Sequence, residues 1–296
     1  MTKFRGMALP VCIGSLLVLC PPLAKARADV PAENPCLACH EPLTKSFGTT
    51  AHGKAMQFQA GRFQGDCQVC HGDATAHMES ADPAKIQNPA KLSAVEASET
   101  CLKCHQTAKH QMFWRGSQHD LAGNSCVSCH SVHHAKSAAS LLKARTQGEV
   151  CFTCHQNIRK AQLQRSTHLF RDEHLRTRLE CASCHNVHGT QTEKLIAANS
   201  INEKCYSCHA DKRGPFLWEH PPAKENCIVC HSPHGSNQPK LLAMRTPMLC
   251  QSCHIQGRHQ TVAGRPNAVF VINRQCLNCH PQVHGSNHPS GVILQR

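Results

Sequence analysis

Hydrophobic positions along this 296-residue chain fall into short, interrupted groups, with one exception near the start. From about Met7 to Leu19 the residues are mostly apolar, with Lys3 and Arg5 before them. Pro21-Pro22 and the small-residue sites Ala24-Lys25-Ala26 and Ala26-Arg27-Ala28 follow. That order of basic, apolar and small residues is the layout of a Sec-type signal peptide over residues 1–28, cut near Ala28. The run is shorter than the roughly 20 apolar residues a membrane-spanning helix requires, so it is expected to be removed rather than kept as an anchor. Leu19 before Cys20 departs from the small residue a lipoprotein site prefers. The mature chain, residues 29–296, is therefore expected outside the cytoplasm.

After residue 28, Gly, Pro, Ser and Asn punctuate every segment, and neither a helical period nor a strand alternation persists. The pattern predicts short α-helices, much coil and little or no β structure. Bulk is also missing: aromatic residues make up 4% of the chain, and Tyr206 is its single tyrosine. A chain of this length ordinarily buries many large side chains, so something other than side chains is expected to fill its interior.

Twenty of the 22 cysteines lie in ten copies of Cys-x-x-Cys-His. In chain order the motifs are Cys36, Cys39 and His40; Cys67, Cys70 and His71; Cys101, Cys104 and His105; Cys126, Cys129 and His130; Cys151, Cys154 and His155; Cys181, Cys184 and His185; Cys205, Cys208 and His209; Cys227, Cys230 and His231; Cys250, Cys253 and His254; and Cys276, Cys279 and His280. This is the attachment signature of c-type haem. Two thiols three positions apart form thioethers to the two vinyl groups of one porphyrin, and the next imidazole takes one face of the iron. One copy could equally be a redox dithiol or half a zinc site. Ten in succession, each with its His, predict ten covalent haems. Stability is then expected to depend on haem, with an unfolded apoprotein. Attachment of this kind takes place outside the cytoplasm, and once the leader is cut no cysteine is left over for a disulfide.

Of the 24 histidines, fourteen lie outside the motifs, and ten of these keep register with them. His52, His119, His168, His220 and His259 each stand between an odd motif and the next even one. His77, His133, His188, His234 and His284 each follow an even motif. The repeat is a two-haem module of about 50 residues, present five times, at about 36–100, 101–150, 151–204, 205–249 and 250–296. These ten histidines are the expected ligands on the opposite iron faces, which gives ten bis-histidine haems. His174 competes with His168, and His110, His134 and His288 are spare. Spacing leaves open which haem each distal His serves. A smaller repeat, Leu141-Leu142, Leu195-Ile196 and Leu241-Leu242, lies between modules. It reads either as cover for haem faces or as a plain linker turn.

The formal charge of +13 invites a nucleic-acid reading, but the cofactors overturn it. Losing Lys3, Arg5, Lys25 and Arg27 with the leader leaves 28 basic against 19 acidic residues, or +9. Ten haems add about −20 in propionates and about +10 on ferric iron, so the oxidised protein sits near neutrality. Lys and Arg are better read as propionate partners. Irons gripped on both faces exchange electrons with little ligand rearrangement and offer no open position to a substrate. The chain is therefore expected to be an electron carrier and no enzyme. The competing class is a multihaem reductase with one open haem, but no Cys-x-x-Cys-Lys motif is present and the one tyrosine lies inside a haem motif.

The stretch from Cys205 through Pro215, Trp218 and His220 to Cys227, His231 and His234-Gly235-Ser236, together with Cys276 to Gly291 at the C-terminus, resembles the periplasmic decahaem cytochromes of the MtrA/DmsE type, with MtoA- and PioA-like members. The likeness extends from about Pro35 to Arg296. The short lead-in before Cys36 and the longer stretch from His168 to Cys181 depart from it. The resemblance implies bis-histidine ligation by the ten distal residues above. It also implies a place in the periplasm at the outer membrane, inside a β-barrel porin of the MtrB type, which insulates the wire from lipid. Implied partners are that porin, periplasmic or inner-membrane cytochromes, and an extracellular multihaem cytochrome or reductase, with electrons passing to or from metal oxides, Fe(II) or that reductase. The direction of flow stays open. A soluble periplasmic electron carrier or store is the alternative. Relatives described as two pentahaem halves would put a boundary near residues 160–165.

Overall fold

The computed structural model describes residues 35–58, 67–137, 140–168, 179–255 and 275–295. The signal peptide, His174 and His259 lie outside them. Helices are short, the longest described ones being the 12-residue segments Leu37–Gly48 and Ala94–His105. Local chemistry starts several of them. The Ser93 hydroxyl accepts from Glu96 N–H while Ser93 N–H donates to the Glu96 carboxylate, a capping box that opens Ala94–His105. Thr146 and Glu149 do the same for Gln147–Cys151. Ser200 accepts from Glu203 N–H ahead of Ile201–Tyr206. Each of these helices delivers the first cysteine of an odd motif.

Even motifs are single turns, α-helical at Gln68–His71 and Cys126–Cys129 and 3-10 at Cys181–Ser183, Cys227–Val229 and Cys276–Asn278. In nine motifs the His N–H donates to the carbonyl of the first Cys at 2.9–3.1 Å, as His71 does to Cys67 and His254 to Cys250. That bond closes the pentapeptide into one turn. Positions 1, 4 and 5 of such a turn share a face, so both sulfurs and the imidazole point the same way.

Among the described residues β structure is confined to isolated bridges, three of which follow even motifs: His130 with Leu142, His185 with Ile196 and His231 with Leu242. The apolar pairs, of which Leu195 and Leu241 close single 3-10 turns, are therefore tied to the motifs they follow. Each folds back on its motif, with Ser131, Asn186 and Ser232 N–H groups donating to the carbonyls of Leu141, Leu195 and Leu241 at 2.7–2.8 Å. Gln282 N–H donates to Leu294 at 3.2 Å, which places Leu294 where Leu141, Leu195 and Leu241 stand in the other turns. Leu141, Leu195, Leu241 and Leu294 all take left-handed backbone, φ 50 to 57°. That conformation costs a side-chain-bearing residue about 1–2 kcal/mol, so its recurrence marks a constrained turn.

Buried apolar side chains are few and scattered: Ala74, Ala97, Leu102, Trp114, Leu142, Leu195, Leu241 and Leu294. No large described side chain falls below 2% exposure. The described residues lack a continuous side-chain core, as the composition predicts. The modules are joined by backbone instead. Ser166 and Ser236 exchange two hydrogen bonds at 2.9 Å, and Trp218 and Ser286 exchange two at 2.9 and 3.0 Å. No described helix is long and apolar enough to cross a membrane.

Candidate haem iron sites

Nine motif imidazoles each face one distal imidazole. The ring centres are 6.2 Å apart for His40 and His77, 6.1 Å for His71 and His133, 5.8 Å for His105 and His52, and 6.0 Å for His130 and His188. They are 6.1 Å apart for His155 and His119, 6.0 Å for His185 and His234, 6.2 Å for His209 and His168, 6.1 Å for His231 and His284, and 6.2 Å for His254 and His220. Imidazole nitrogen sits about 2.0–2.1 Å from a first-row metal, with its ring centre about 1.1 Å behind, so two rings gripping one iron lie about 6.2–6.4 Å apart. The observed gaps, 5.8–6.2 Å, meet the lower edge of that range and otherwise fall up to about 0.4 Å short of it. His259, the distal residue expected for the tenth motif, lies outside the described residues.

The pairing is interleaved. The second, fourth, sixth and eighth motif histidines each face the distal His that follows the next even motif, and each odd-motif His from the third onward faces the distal His of the module before. Two imidazole pairs therefore bridge every junction between neighbouring modules for which both partners are described. Within modules, the first cysteines meet: the Cys101 thiol donates to Cys126, Cys151 to Cys181 and Cys205 to Cys227. These sulfurs stand in for the thioether sulfurs of two haems. As thiols, the donors are pushed up and the acceptors Cys126, Cys181 and Cys227 are pulled down to about 7 by that contact.

Carbonyls orient the rings. His71, His130, His185, His231 and His280 donate from Nδ1 to the carbonyls of Gln87, Ser140, Lys194, Lys240 and Ile293. On the distal side His77, His119, His168 and His220 donate from Nδ1 to Asp82, Val187, Pro233 and Val283 at 2.9 Å. A carbonyl can only accept, so the proton sits on Nδ1 and the Nε2 lone pair is left free, as iron ligation requires. Burial works the same way on other distal rings. It lowers His52, His133, His234 and His284 below the usual imidazole range, and it takes His188 down to about 4, with His130 nearby as the next cause. Lowered rings stay neutral and keep their lone pair.

Comparison with known proteins agrees with this geometry. Residues 174–214 and 220–259 match the doubled CXXCH motif family, and residues 67–154 match the family of cytochrome c-type proteins described as NrfB-like. The multiheme cytochrome MtrA of Shewanella baltica (strain OS185) is 42% identical over 274 residues, 88% of this chain and 80% of that relative. This chain belongs to the MtrA family of multihaem cytochromes. The cytochrome c-type protein NrfB of Escherichia coli O6:H1 is 27% identical over 128 residues, 42% of this chain and 65% of that relative.

As an MtrA-family cytochrome the chain carries covalent haem c at its Cys-x-x-Cys-His motifs and transfers electrons. The bound haem supplies one-electron exchange at its iron. Among the spare histidines of this family member, His288 differs in kind from the paired ones. His288 Nδ1 accepts from Ser290 N–H, which leaves its proton on Nε2, the opposite tautomer. His110 offers its carbonyl to Asn186 Nδ2, and the His134 ring lies 6.3 Å from His133.

Sequence reasoning missed the second tier of the sites. His188-Gly189-Thr190, His234-Gly235-Ser236 and His284-Gly285-Ser286 form a readable triplet. Their glycines have φ 119, 159 and 130°, and an added β-carbon would lie 2.0 Å from Phe113 O, 1.9 Å from Ala161 O or 2.2 Å from the Phe216 ring. Only glycine lets the turn approach the preceding module closely enough to present Val187, Pro233 and Val283 to the distal histidines.

Proposed function

We propose that the ten distal histidines hold the second face of ten haem irons, and that these sites form a single electron wire across the outer membrane. The pairing supports His77 with the first motif, His133 with the second, His52 with the third, His188 with the fourth and His119 with the fifth. It supports His234 with the sixth, His168 with the seventh, His284 with the eighth and His220 with the ninth, leaving His259 for the tenth. His168 rather than His174 is the ligand in this reading.

The observation that carries the conduit is the interleaving itself. A carrier made of separable haem domains needs no iron shared between modules, whereas here the paired imidazoles tie successive modules together from His40 to His284. Cysteine contacts within modules and imidazole pairs between them keep successive cofactors close, the condition for fast tunnelling. The five modules then work as one body, and a boundary near residues 160–165 would describe packing at most. With both iron faces filled, the chain carries electrons and turns over no small substrate.

Likeness to MtrA supports a place in the periplasm at the outer membrane, inside a β-barrel porin. There it would link periplasmic or inner-membrane cytochromes to an outer-surface cytochrome, reductase, metal oxide or Fe(II). Fractionation with vesicle reconstitution tests this. The holoprotein should co-purify with a barrel protein from outer membranes. Vesicles carrying both should pass electrons from an internal reduced dye to external ferric chelate, and vesicles with either alone should not. Recovery in the soluble periplasm with no barrel partner would return the protein to the class of free carriers.

A further inference from the structure

Eight of the nine described imidazole pairs contain a hydrogen bond from one Nδ1 to a backbone carbonyl, supplied in turn by the proximal ring of even motifs and the distal ring of odd ones. The exception is His105 with His52. Among the described residues His52 Nδ1 is buried and has no partner. A buried polar atom left unpaired calls for an explanation.

The explanation is one residue. At the three later junctions the carbonyl comes from the residue before a His-Gly pair, and the glycine permits the close approach. At the junction of the first and second modules the corresponding turn reads Val132-His133-His134, with His134 in place of glycine. The backbone of His134 is not left-handed, unlike Gly189, Gly235 and Gly285. A β-carbon at that position bars the approach, and His133 Nδ1 is left buried and unpartnered as well.

We propose that His134 acts as a positioning residue that withholds the Val132 carbonyl from His52, leaving the iron site of Cys101, Cys104, His105 and His52 more readily reduced than its counterparts held by His119, His168 and His220. A carbonyl on Nδ1 makes an imidazole a stronger donor, and stronger donors favour ferric iron. Without it the balance tips toward ferrous. The inference rests on the ligand pairing proposed above. The site would act as a shallow electron store near the first module's end of the wire.

Redox titration of the holoprotein with parallel electron paramagnetic resonance tests it. His52→Ala, His119→Ala, His168→Ala and His220→Ala should each convert one haem from low spin to high spin, which identifies the titration component each site contributes. The component lost in His52→Ala should be the highest of the four. His134→Gly, which changes no ligand, should lower that component, with the reduced-to-oxidised ratio at fixed potential falling about fivefold, the size of one hydrogen bond. If the His52 component lies at or below the other three, or does not move in His134→Gly, the inference is overturned while the pairing stands. If His52→Ala yields no high-spin haem, the pairing itself is wrong and the inference falls with it.

Discussion

Gly189 is the point at which the third module touches the backbone of the second, and replacing it with alanine tests how the modules are held. Its φ is +119°, and a β-carbon there would lie 2.0 Å from the Phe113 carbonyl oxygen and 2.6 Å from the carbonyl carbon. Restoring an ordinary contact of about 3.2 Å requires the two segments to part by about 1 Å. The same junction is spanned by His119 Nδ1 to Val187 O at 2.9 Å and Asn186 Nδ2 to His110 O at 3.0 Å. An opening of that size takes both beyond hydrogen-bonding distance. The two lost bonds contribute about 1 kcal/mol each and the backbone strain about 1–3 kcal/mol, so Gly189→Ala should destabilise the holoprotein by about 3–5 kcal/mol. Denaturant titration followed through low-spin haem absorbance measures this, and a high-spin signal from one haem in ten would report release of His119. Gly116→Ala is the control, because Gly116 has φ +76° but nothing within 4 Å of an added β-carbon. That variant should cost about 1 kcal/mol from backbone strain alone. Equal effects of the two substitutions would refute interlocking by close backbone approach.

Further outcomes follow from the same geometry. His168→Ala should give one high-spin haem by electron paramagnetic resonance, whereas His288→Ala should give none, since its Nδ1 accepts from Ser290. Replacing both Cys126 and Cys129 with serine should remove one haem from the pyridine haemochrome count and loosen the capped helix Ala94–His105, which packs against that turn. Ser93→Ala should cost about 1 kcal/mol in the same denaturant assay through loss of the helix cap. The Ser93 hydroxyl and N–H hold the Glu96 carboxyl below its usual range, so its stabilising effect is present above the ordinary carboxylate range and lost as pH falls through the lowered value. The acid limb of a stability profile should therefore flatten in Ser93→Ala. Expression without haem attachment should yield a chain lacking helical circular dichroism, because no continuous side-chain core replaces the cofactors.

The attachment chemistry was legible in the sequence because it is local. Two thiols and an imidazole at positions 1, 4 and 5 share one face of a single turn, whatever surrounds them. The scarcity of aromatic residues and the interrupted hydrophobic pattern announced a haem-filled interior and short helices for similarly local reasons. Register also picked out His77, His133 and His188 as histidines apart from His288. Partnership was another matter. The carbonyls that orient His119, His168 and His220 lie 68, 65 and 63 residues away, and no spacing rule at that range says which imidazole meets which. Tertiary structure decided that neighbouring modules share imidazole pairs instead of each closing on itself. At three of the four junctions His-Gly turns lie against the preceding backbone, and that depends on where two distant segments touch. The letter that separates the second module from its successors, His134 for glycine, was in plain sight, but its meaning appeared only beside the unpartnered nitrogen of His52.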